Sequence, residues 1–248
     1  MKFFRVEAVV LKAKEHKEAD RILTLYSLER GKIRAISHGS ARPKSRKRGA
    51  VQPFCRSRFF LTREREFNRV DQVEVLERFP QVGEDIRVFG YASYFAELLD
   101  GFTVEEVPNR PLYYLLIESL RALGGDGEWL SRAFEIRLLV LTGFGPELNC
   151  CVSCRKPLQL TGLLAFVPEA GGAVCSVCSR GYPAVLRLSP GALQMVRRLA
   201  EGSLTRVFTL KPDPVTRQEL KKIMSETIAL HLGYRPRSLD FIESVNKS

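Results

Sequence analysis

Four cysteines arranged as two pairs constrain the fold of this chain more than any other feature of its sequence. Cys151 and Cys154 form one C-x-x-C pair, and Cys175 and Cys178 form a second after 20 intervening residues. This spacing is typical of tetrahedral four-cysteine zinc sites, in which each pair bends so that two thiolates meet one ion. We therefore predict one structural Zn²⁺ per chain, held by a small ribbon with a strand over 161–167. Because four cysteines fill the coordination shell, an open catalytic position is not expected.

An iron–sulfur cluster and metal-free paired thiols are the alternatives to zinc. Segment 1–17 has no uninterrupted apolar stretch, so we expect neither a secretory signal nor the disulfide framework of a secreted protein. Cys150 allows another pairing with Cys154, but the two-residue spacing favours Cys151 as the ligand. Cys55 lies in a predicted strand and is interpreted as a small core residue.

The first 80 residues have the pattern of a small β-barrel. Short segments rich in β-branched and aromatic residues are separated by turn residues, and no helical periodicity interrupts them. Five strands with one long basic connection over 39–53 predict a closed barrel of the oligonucleotide-binding (OB) type. The predicted strands are 4–13, 22–28, 32–38, 54–62 and 69–76.

The periodicity becomes helical after residue 80. Apolar residues then recur at three- and four-residue steps, which predicts helices over 84–100, 112–123, 128–142, 191–200, 215–232 and 238–245. The overall expectation is an α+β multidomain protein. An OB-type nucleic-acid-binding domain occupies 1–80 and a helical domain occupies 81–248, with the zinc-binding insertion at about 147–182.

Positive charge is concentrated in one part of the chain. The net charge is +11, and the segment 30–69 alone holds 13 basic residues against Glu64 and Glu66. Such a concentration indicates a face that binds a polyanion, although a solvated surface would show the same composition. No uncharged apolar run is long enough to span a membrane, and we expect a cytoplasmic protein.

Motifs of catalysis are missing from the sequence. It has no phosphate-binding G-x4-G-K-[ST] loop, no H-E-x-x-H and no G-x-S-x-G, and its three histidines form no metal or triad pattern. Glu15, Glu18 and Asp20 lie close together, but we interpret them as a polar turn rather than a nuclease site. We therefore expect neither an enzyme nor a small-molecule substrate.

Several segments resemble the bacterial recombination-repair family RecO in collinear order. They are VEAVVLKAKEHKEADRILTLYSLERGKIRAISHGSARPKS from residue 6 with QPF soon after, YASYFAELLD at 91–100, FEIRLLVLTGFGPELNCCVSC at 134–154, GGAVCSVC at 171–178 and HLGYRPRSLDFI at 231–242. Cys150 departs from the family pattern. The resemblance implies binding of single- and double-stranded DNA and annealing of strands coated by single-strand-binding protein. It also implies action with RecR in loading RecA, at the nucleoid.

Candidate DNA-binding residues follow from the basic segment. Annealing needs cations that hold phosphates and rings that stack on bases, without reading sequence. We predict that phosphates contact Arg34, Arg42, Lys44, Arg46, Lys47 and Arg48. Phe54, Phe59 and Phe60 are candidates for stacking, but core packing is favoured for each. For the acidic tail of single-strand-binding protein, the resemblance implies a groove on the helical body, flanked by residues among Arg121, Arg132 and Arg137.

Two other classes of function fit the same features. A zinc-ribbon transcription or RNA-binding factor would share the charge and the cysteines, and would prefer one sequence or RNA structure. A metal-dependent nuclease would degrade its substrate in the presence of magnesium or manganese.

Overall fold

The structure is a computed structural model that describes residues 2–160, 162, 164–201 and 204–246. Its contacts divide the chain into two compact units, which are described separately. The first unit contains residues 1–124 and 240–248, and the second contains residues 125–239. Within the described ranges, no helix is both long and apolar enough to cross a membrane.

Five strands of the first unit close into a barrel. Around the barrel their order is β1-β2-β3-β5-β4, with β4 pairing back to β1. All of these pairs are antiparallel except β3–β5, which runs parallel over only two residue pairs. The strands are β1 (Phe3–His16), β2 (Asp20–Ser27), β3 (Gly31–Ser37), β4 (Arg56–Thr62) and β5 (Asn68–Glu77). The predicted five-stranded OB-type barrel is confirmed.

The interior of the barrel is filled by alternate residues of the strands. Side chains of a strand point to opposite faces in turn, so a small closed barrel buries every second residue. The core contains Val6, Ala8, Val10, Leu23, Leu25, Ile33, Ala35, Val51, Phe59, Leu61 and Val70. Val51 is the exception to the pattern, since it belongs to the connection between β3 and β4.

Helices complete the first unit. They are α1 (Pro80–Glu84), α2 (Ile86–Phe102) and α3 (Arg110–Ala122), with the last residues of α7 (Arg237–Asn246). Asp85 caps α2 and Asn109 caps α3, because each side chain accepts a hydrogen bond from a backbone N–H of the first turn. Gly90 leaves room for α7, since a Cβ there would lie 3.0 Å from Ile242.

The second unit combines helices with a small sheet. It contains α4 (Gly127–Thr142), α5 (Pro190–Ala200) and α6 (Pro214–Leu232), and the strands β6 (Leu164–Val167), β7 (Gly172–Val174) and β8 (Leu186–Leu188). The sheet order is β7-β6-β8. Trp129 of α4 is buried, and its indole Nε1 donates to the carbonyl oxygen of Val207 at 3.1 Å. The expected helical part with a four-cysteine segment is confirmed.

The strand boundaries differ from the predictions by up to three residues. The fourth strand begins at Arg56, because Phe54 has a left-handed backbone with φ of 63° and cannot continue a strand. The strand predicted over 161–167 is β6 and begins at Leu164. Thr161 and Leu163 lie outside the described residues. Sequence patterns also missed α1, β7 and β8, which have only five, three and three residues.

Candidate nucleic-acid interface and four-cysteine cluster

The connection between β3 and β4, residues 38–55, is called the basic loop here. It consists of successive turns and is fixed to the barrel at both ends. The backbone N–H of Ala41 donates to the carbonyl of Ala19 at 2.9 Å, and that of Phe54 donates to the carbonyl of Val10 at 2.7 Å. The buried side chain of Val51 adds an apolar anchor. The basic loop is therefore held against the barrel by backbone hydrogen bonds and by an apolar contact.

Four cations of the basic loop face solvent. Arg42, Lys44, Arg46 and Arg48 are exposed, and none forms an ion pair with any residue that the structure describes. Exposed charges of one sign repel one another, and a phosphate backbone would relieve that repulsion. These four predicted DNA-binding residues share the charge, exposure and location that phosphate binding requires.

Lys47 has a different environment from its neighbours. Its side chain is partly buried, and Nζ donates to the carbonyl oxygen of Val70 on β5 at 2.7 Å. Burial lowers the pKa of Lys47 below its ordinary value, while the nearby Asp71 carboxylate opposes that change. Lys47 thus ties the loop to the barrel. Its predicted contact with phosphate stays a prediction, and that contact would have to compete with the carbonyl of Val70.

Most other basic residues of the 30–69 segment have acidic partners. Arg34 on β3 pairs with Glu105 at 2.7 Å, so a phosphate would have to compete with a carboxylate there. Arg63 pairs with Glu106. The further pairs are Lys32–Asp100, Arg56–Glu7, Arg56–Glu77, Arg58–Glu74, Arg69–Glu64 and Arg69–Asp71. The free positive charge of this segment is accordingly concentrated in the basic loop.

The candidate stacking rings occupy different environments. Phe59 is fully buried in the barrel and Phe54 is 6% exposed, as expected for core residues. Phe60 is 38% exposed on β4. Cys55 is buried, in agreement with its interpretation as a core residue.

The acidic residues near the β1–β2 connection form a polar turn. Asp20 accepts hydrogen bonds from the backbone N–H of Gly39 at 2.9 Å and pairs with Nδ1 of His38 at 2.7 Å. The Gly39 N–H and then His38 hold the pKa of Asp20 below its ordinary value. Asp20 therefore fastens the start of the basic loop to the β1–β2 turn.

The four paired cysteines converge in the second unit. The Sγ atoms of Cys151, Cys154, Cys175 and Cys178 all lie within 4.8 Å of one another. Tetrahedral Zn–S bonds of about 2.3 Å would place the sulfurs about 3.8 Å apart, so small shifts would bring all four to one ion. The donor set and its geometry fit a zinc ion.

Backbone hydrogen bonds bring the two cysteine pairs together. The N–H of Val152 donates to the carbonyl oxygen of Ala173 at 3.0 Å. The N–H of Ala173 in turn donates to the carbonyl oxygen of Glu147 at 2.9 Å. Gly172 is required at this crossing, because a Cβ there would lie 2.4 Å from the Glu147 carbonyl oxygen. Gly171 supplies the left-handed turn with φ of 76°.

The pKa values of two thiols in the cluster are shifted in opposite directions. Burial raises the pKa of the Cys151 thiol, but backbone N–H groups of Cys154, Cys175 and Ser153 outweigh burial and lower the pKa to about 6. By contrast, hydrogen bonding from Cys178 to Cys175 raises the pKa of Cys178 to about 12. Cys150 lies outside the cluster, and its N–H donates to Oε1 of Glu147 at 3.1 Å.

The arginines expected to flank an acidic-tail groove have different local environments. Arg121 is bound to Glu77 through two hydrogen bonds of 2.7 and 2.8 Å. Arg132 is buried beside Glu135, so it cannot meet a ligand at the surface. Arg137 lines a cleft of about 420 Å³, whose other lining residues are Arg198, Glu201, Arg206, Val207, Thr209 and Leu210.

Comparisons with known proteins decide the family. The family model for the N terminal of Recombination protein O matches residues 1–79, and the model for its C terminal matches residues 83–240. The chain belongs to the RecO family. A DNA repair protein RecO from Pelotomaculum thermopropionicum is 41% identical over 98% of this chain and 94% of its own length. A DNA repair protein RecO from Desulforudis audaxviator is 42% identical over 100% of this chain and 99% of its own length. One from Desulforamulus reducens is 37% identical over 100% of this chain and 97% of its own length.

Membership of the RecO family gives this chain a general role in DNA repair. The barrel that carries the basic loop lies within the part matched by the N-terminal RecO model. The four-cysteine cluster lies within the part matched by the C-terminal model.

Proposed function

We propose that this RecO family member binds single- and double-stranded DNA and anneals complementary single strands coated by single-strand-binding protein. With RecR as its partner, it would help load RecA onto such DNA during repair. The proposal rests on family membership together with four exposed cations of the basic loop, which form no ion pair with the residues that the structure describes. DNA binding would place the protein at the nucleoid in the cytoplasm.

The exposed cations supply what annealing requires. Two strands repel each other through their phosphates, so a protein that neutralises both backbones lowers the cost of bringing them together. Contacts to phosphates carry no base information, so any complementary pair can be annealed. Annealing forms no covalent bond, and the proposed activity needs neither a catalytic residue nor a small-molecule substrate.

Zinc has a structural role in this proposal. Cys151, Cys154, Cys175 and Cys178 would hold one ion, which would fix the two cysteine pairs to each other. Four thiolates this close would repel one another without a cation. A bound ion would offset that repulsion, and its binding free energy would add to the stability of this segment.

The cleft beside Arg137 is our candidate for the acidic tail of single-strand-binding protein. Arg137 already donates to the carbonyl of Leu199 at 2.8 Å, so it is held in place. Arg198 and Arg206 have no carboxylate partner among the described residues, and Val207 and Leu210 supply apolar surface. Charge reversal of Arg198 and Arg206 together should abolish binding of an acidic tail peptide without changing DNA affinity.

We assign the nucleic-acid-binding domain to 1–80 and the helical domain to 81–248, with the zinc-binding insertion at about 147–182. Under this assignment the basic loop belongs to the nucleic-acid-binding domain, and the cleft beside Arg137 belongs to the helical domain.

The decisive experiment compares the wild type with a variant in which Arg42, Lys44, Arg46 and Arg48 are replaced by Ala. Each lost phosphate contact makes the slope of log K against log salt concentration shallower by about 0.7 for a single strand. Loss of four contacts should therefore make the slope shallower by about 2–3. Annealing of labelled strands precoated with single-strand-binding protein should fall in parallel. A variant that keeps its affinity, slope and annealing rate would refute the proposal. Cleavage with magnesium, or selectivity for one sequence, would favour a nuclease or a transcription factor.

A further inference from the structure

An aromatic pocket lies at the end of the basic loop, within the first unit. Its volume is about 290 Å³, and Phe54, Phe79, Phe89, Gln52, Arg78 and Gly83 are among its lining residues. Pockets that bind small molecules have volumes of about 300 Å³ or more, so the volume of this pocket suits a single small planar group.

The rings of the pocket are firmly placed, and one of them is accessible. Phe54 and Phe89 meet edge to face with centroids 5.5 Å apart, and Phe89 is 42% exposed. Phe54 takes its position through a left-handed backbone, which is costly for a bulky aromatic residue. The hydrogen bonds between Phe54 and Val10, and between Val10 and Cys55, hold that conformation.

The pocket is contiguous with the cations of the basic loop. The side-chain amide of Gln52 donates to the carbonyl oxygen of Arg48 at 3.0 Å. A Cβ at Gly49 would lie 2.8 Å from Nη2 of Arg78, so the guanidinium of Arg78 rests against the loop backbone. Arg78 is exposed and has no carboxylate partner among the residues described. A strand whose phosphates lie on the loop would therefore have its bases beside the pocket.

We propose that the aromatic pocket accepts one unpaired nucleobase of the single strand held by the basic loop. This inference rests on the proposed function, because a base reaches the pocket only when a strand lies on the loop. Stacking on an aromatic ring tolerates every base, since each has a π-face, and so preserves annealing without sequence preference. Bases in a duplex are paired and stacked, so the pocket favours single strands over duplexes.

The test compares two ligands of equal length and charge: oligothymidylate and an abasic deoxyribose-phosphate strand. The wild type should bind oligothymidylate more tightly than the abasic strand. Phe89→Ala should weaken oligothymidylate binding about five- to tenfold, leaving affinity for the abasic strand and for duplex unchanged. Tyr114→Ala is the matched control, because Tyr114 is also half-exposed and meets Tyr113 edge to face at 5.6 Å. The control should bind all three ligands as the wild type does.

A second variant fills the pocket without removing any contact. Gly83 lines the pocket, and a Cβ there would meet no atom within 4 Å. Gly83→Leu should therefore remove the preference for oligothymidylate while the thermal midpoint stays at or above the wild-type value. This variant keeps the test decisive if Phe89→Ala folds poorly.

The outcomes separate the two proposals. If the wild type fails to bind single strands at all, the proposed function is wrong. If it binds them, and both pocket variants keep the preference for oligothymidylate, only the pocket proposal is overturned. Equal weakening for all three ligands would also overturn it, since that result reports phosphate binding or lost structure. Unchanged DNA binding with loss of RecR binding would show that the pocket receives a protein side chain instead.

Discussion

Replacing Arg56 should strongly destabilise the first unit, because this side chain joins three elements. On β4, its guanidinium donates to Oε1 of Glu7 from Nε at 3.0 Å and from Nη2 at 2.5 Å. It also donates to Glu77 on β5 at 2.8 Å. Tyr113 of α3 donates its hydroxyl to the same Glu7 oxygen at 2.7 Å. Arg56→Met keeps the apolar stem but leaves Glu7 without its cation, whereas Glu77 keeps its ion pair with Arg121.

The magnitude follows from burial. Breaking a fully buried ion pair by removing one partner costs about 3–5 kcal/mol. Because Arg56 and Glu7 are 23% and 20% exposed, solvent screens the stranded charge of Glu7, and we expect a loss of about 2–3 kcal/mol. For a chain of this size that corresponds to a fall of about 4–12 °C in the thermal midpoint of the first unit. Circular dichroism or calorimetry would measure it.

Arg58→Met is the matched control on the same strand. Arg58 pairs with Glu74 at 2.9 Å, but the two side chains are 36% and 62% exposed, so its loss should cost under about 1 kcal/mol. Adding Glu7→Gln to Arg56→Met should recover part of the lost stability, because the stranded charge is then removed. Equal losses for Arg56→Met and Arg58→Met, or no recovery in the double variant, would refute this reasoning.

Three further predictions concern pH, the loop anchor and the metal. Burial raises the pKa of Glu7, but Tyr113 and Arg56 outweigh burial and hold that pKa below its ordinary value, and Arg121 and then Arg56 lower the pKa of Glu77. The stabilisation from these contacts is therefore full above about pH 4.5 and is lost as the pH falls through the folded-state pKa. The difference in thermal midpoint between wild type and Arg56→Met should therefore narrow below pH 4, and a constant difference from pH 7 to 3 would contradict this. Lys47→Met should lower the free energy of unfolding, measured with urea, by about 1–2 kcal/mol, because the Val70 carbonyl loses the hydrogen bond from Lys47. Lys44→Met should change that free energy by no more than about 0.5 kcal/mol. Equal effects of the two substitutions would contradict an anchoring role for Lys47. Protein purified without added metal should contain about one equivalent of zinc by elemental analysis. Cys150→Ser should retain this zinc, whereas Cys178→Ser should lose it. A metal-free wild type would argue against a zinc site.

Local patterns predicted the fold well, because the barrel strands and the helices depend on residues close in sequence. Alternation of apolar residues marks the barrel strands, and the C-x-x-C spacing predicts which thiols meet. Phe54 shows the limit of this reasoning. Its β-favouring side chain suggests a strand, but hydrogen bonds to Val10, 44 residues earlier in the chain, impose a left-handed turn.

The candidate DNA-binding surface was predicted only in part, because charge in a sequence does not show ion pairing. Arg34 and Arg63 are neutralised by Glu105 and Glu106, which follow about 40–70 positions later and come near only through the fold. Lys47 has the same charge as its neighbours, yet it reaches back to Val70. Such long-range partners leave no local signal. The aromatic pocket was missed for the same reason, since its walls come from separate parts of the chain.

The attachment of the basic loop at both ends and at Lys47 has a thermodynamic consequence for DNA binding. A disordered basic segment would have to lose conformational entropy on binding, and its association would show the large negative heat-capacity change of coupled folding. Here the cations are carried by a preorganised frame, so little ordering accompanies their contact with phosphates. The free energy of binding at this surface should come mainly from released counterions, and its heat-capacity change should be small.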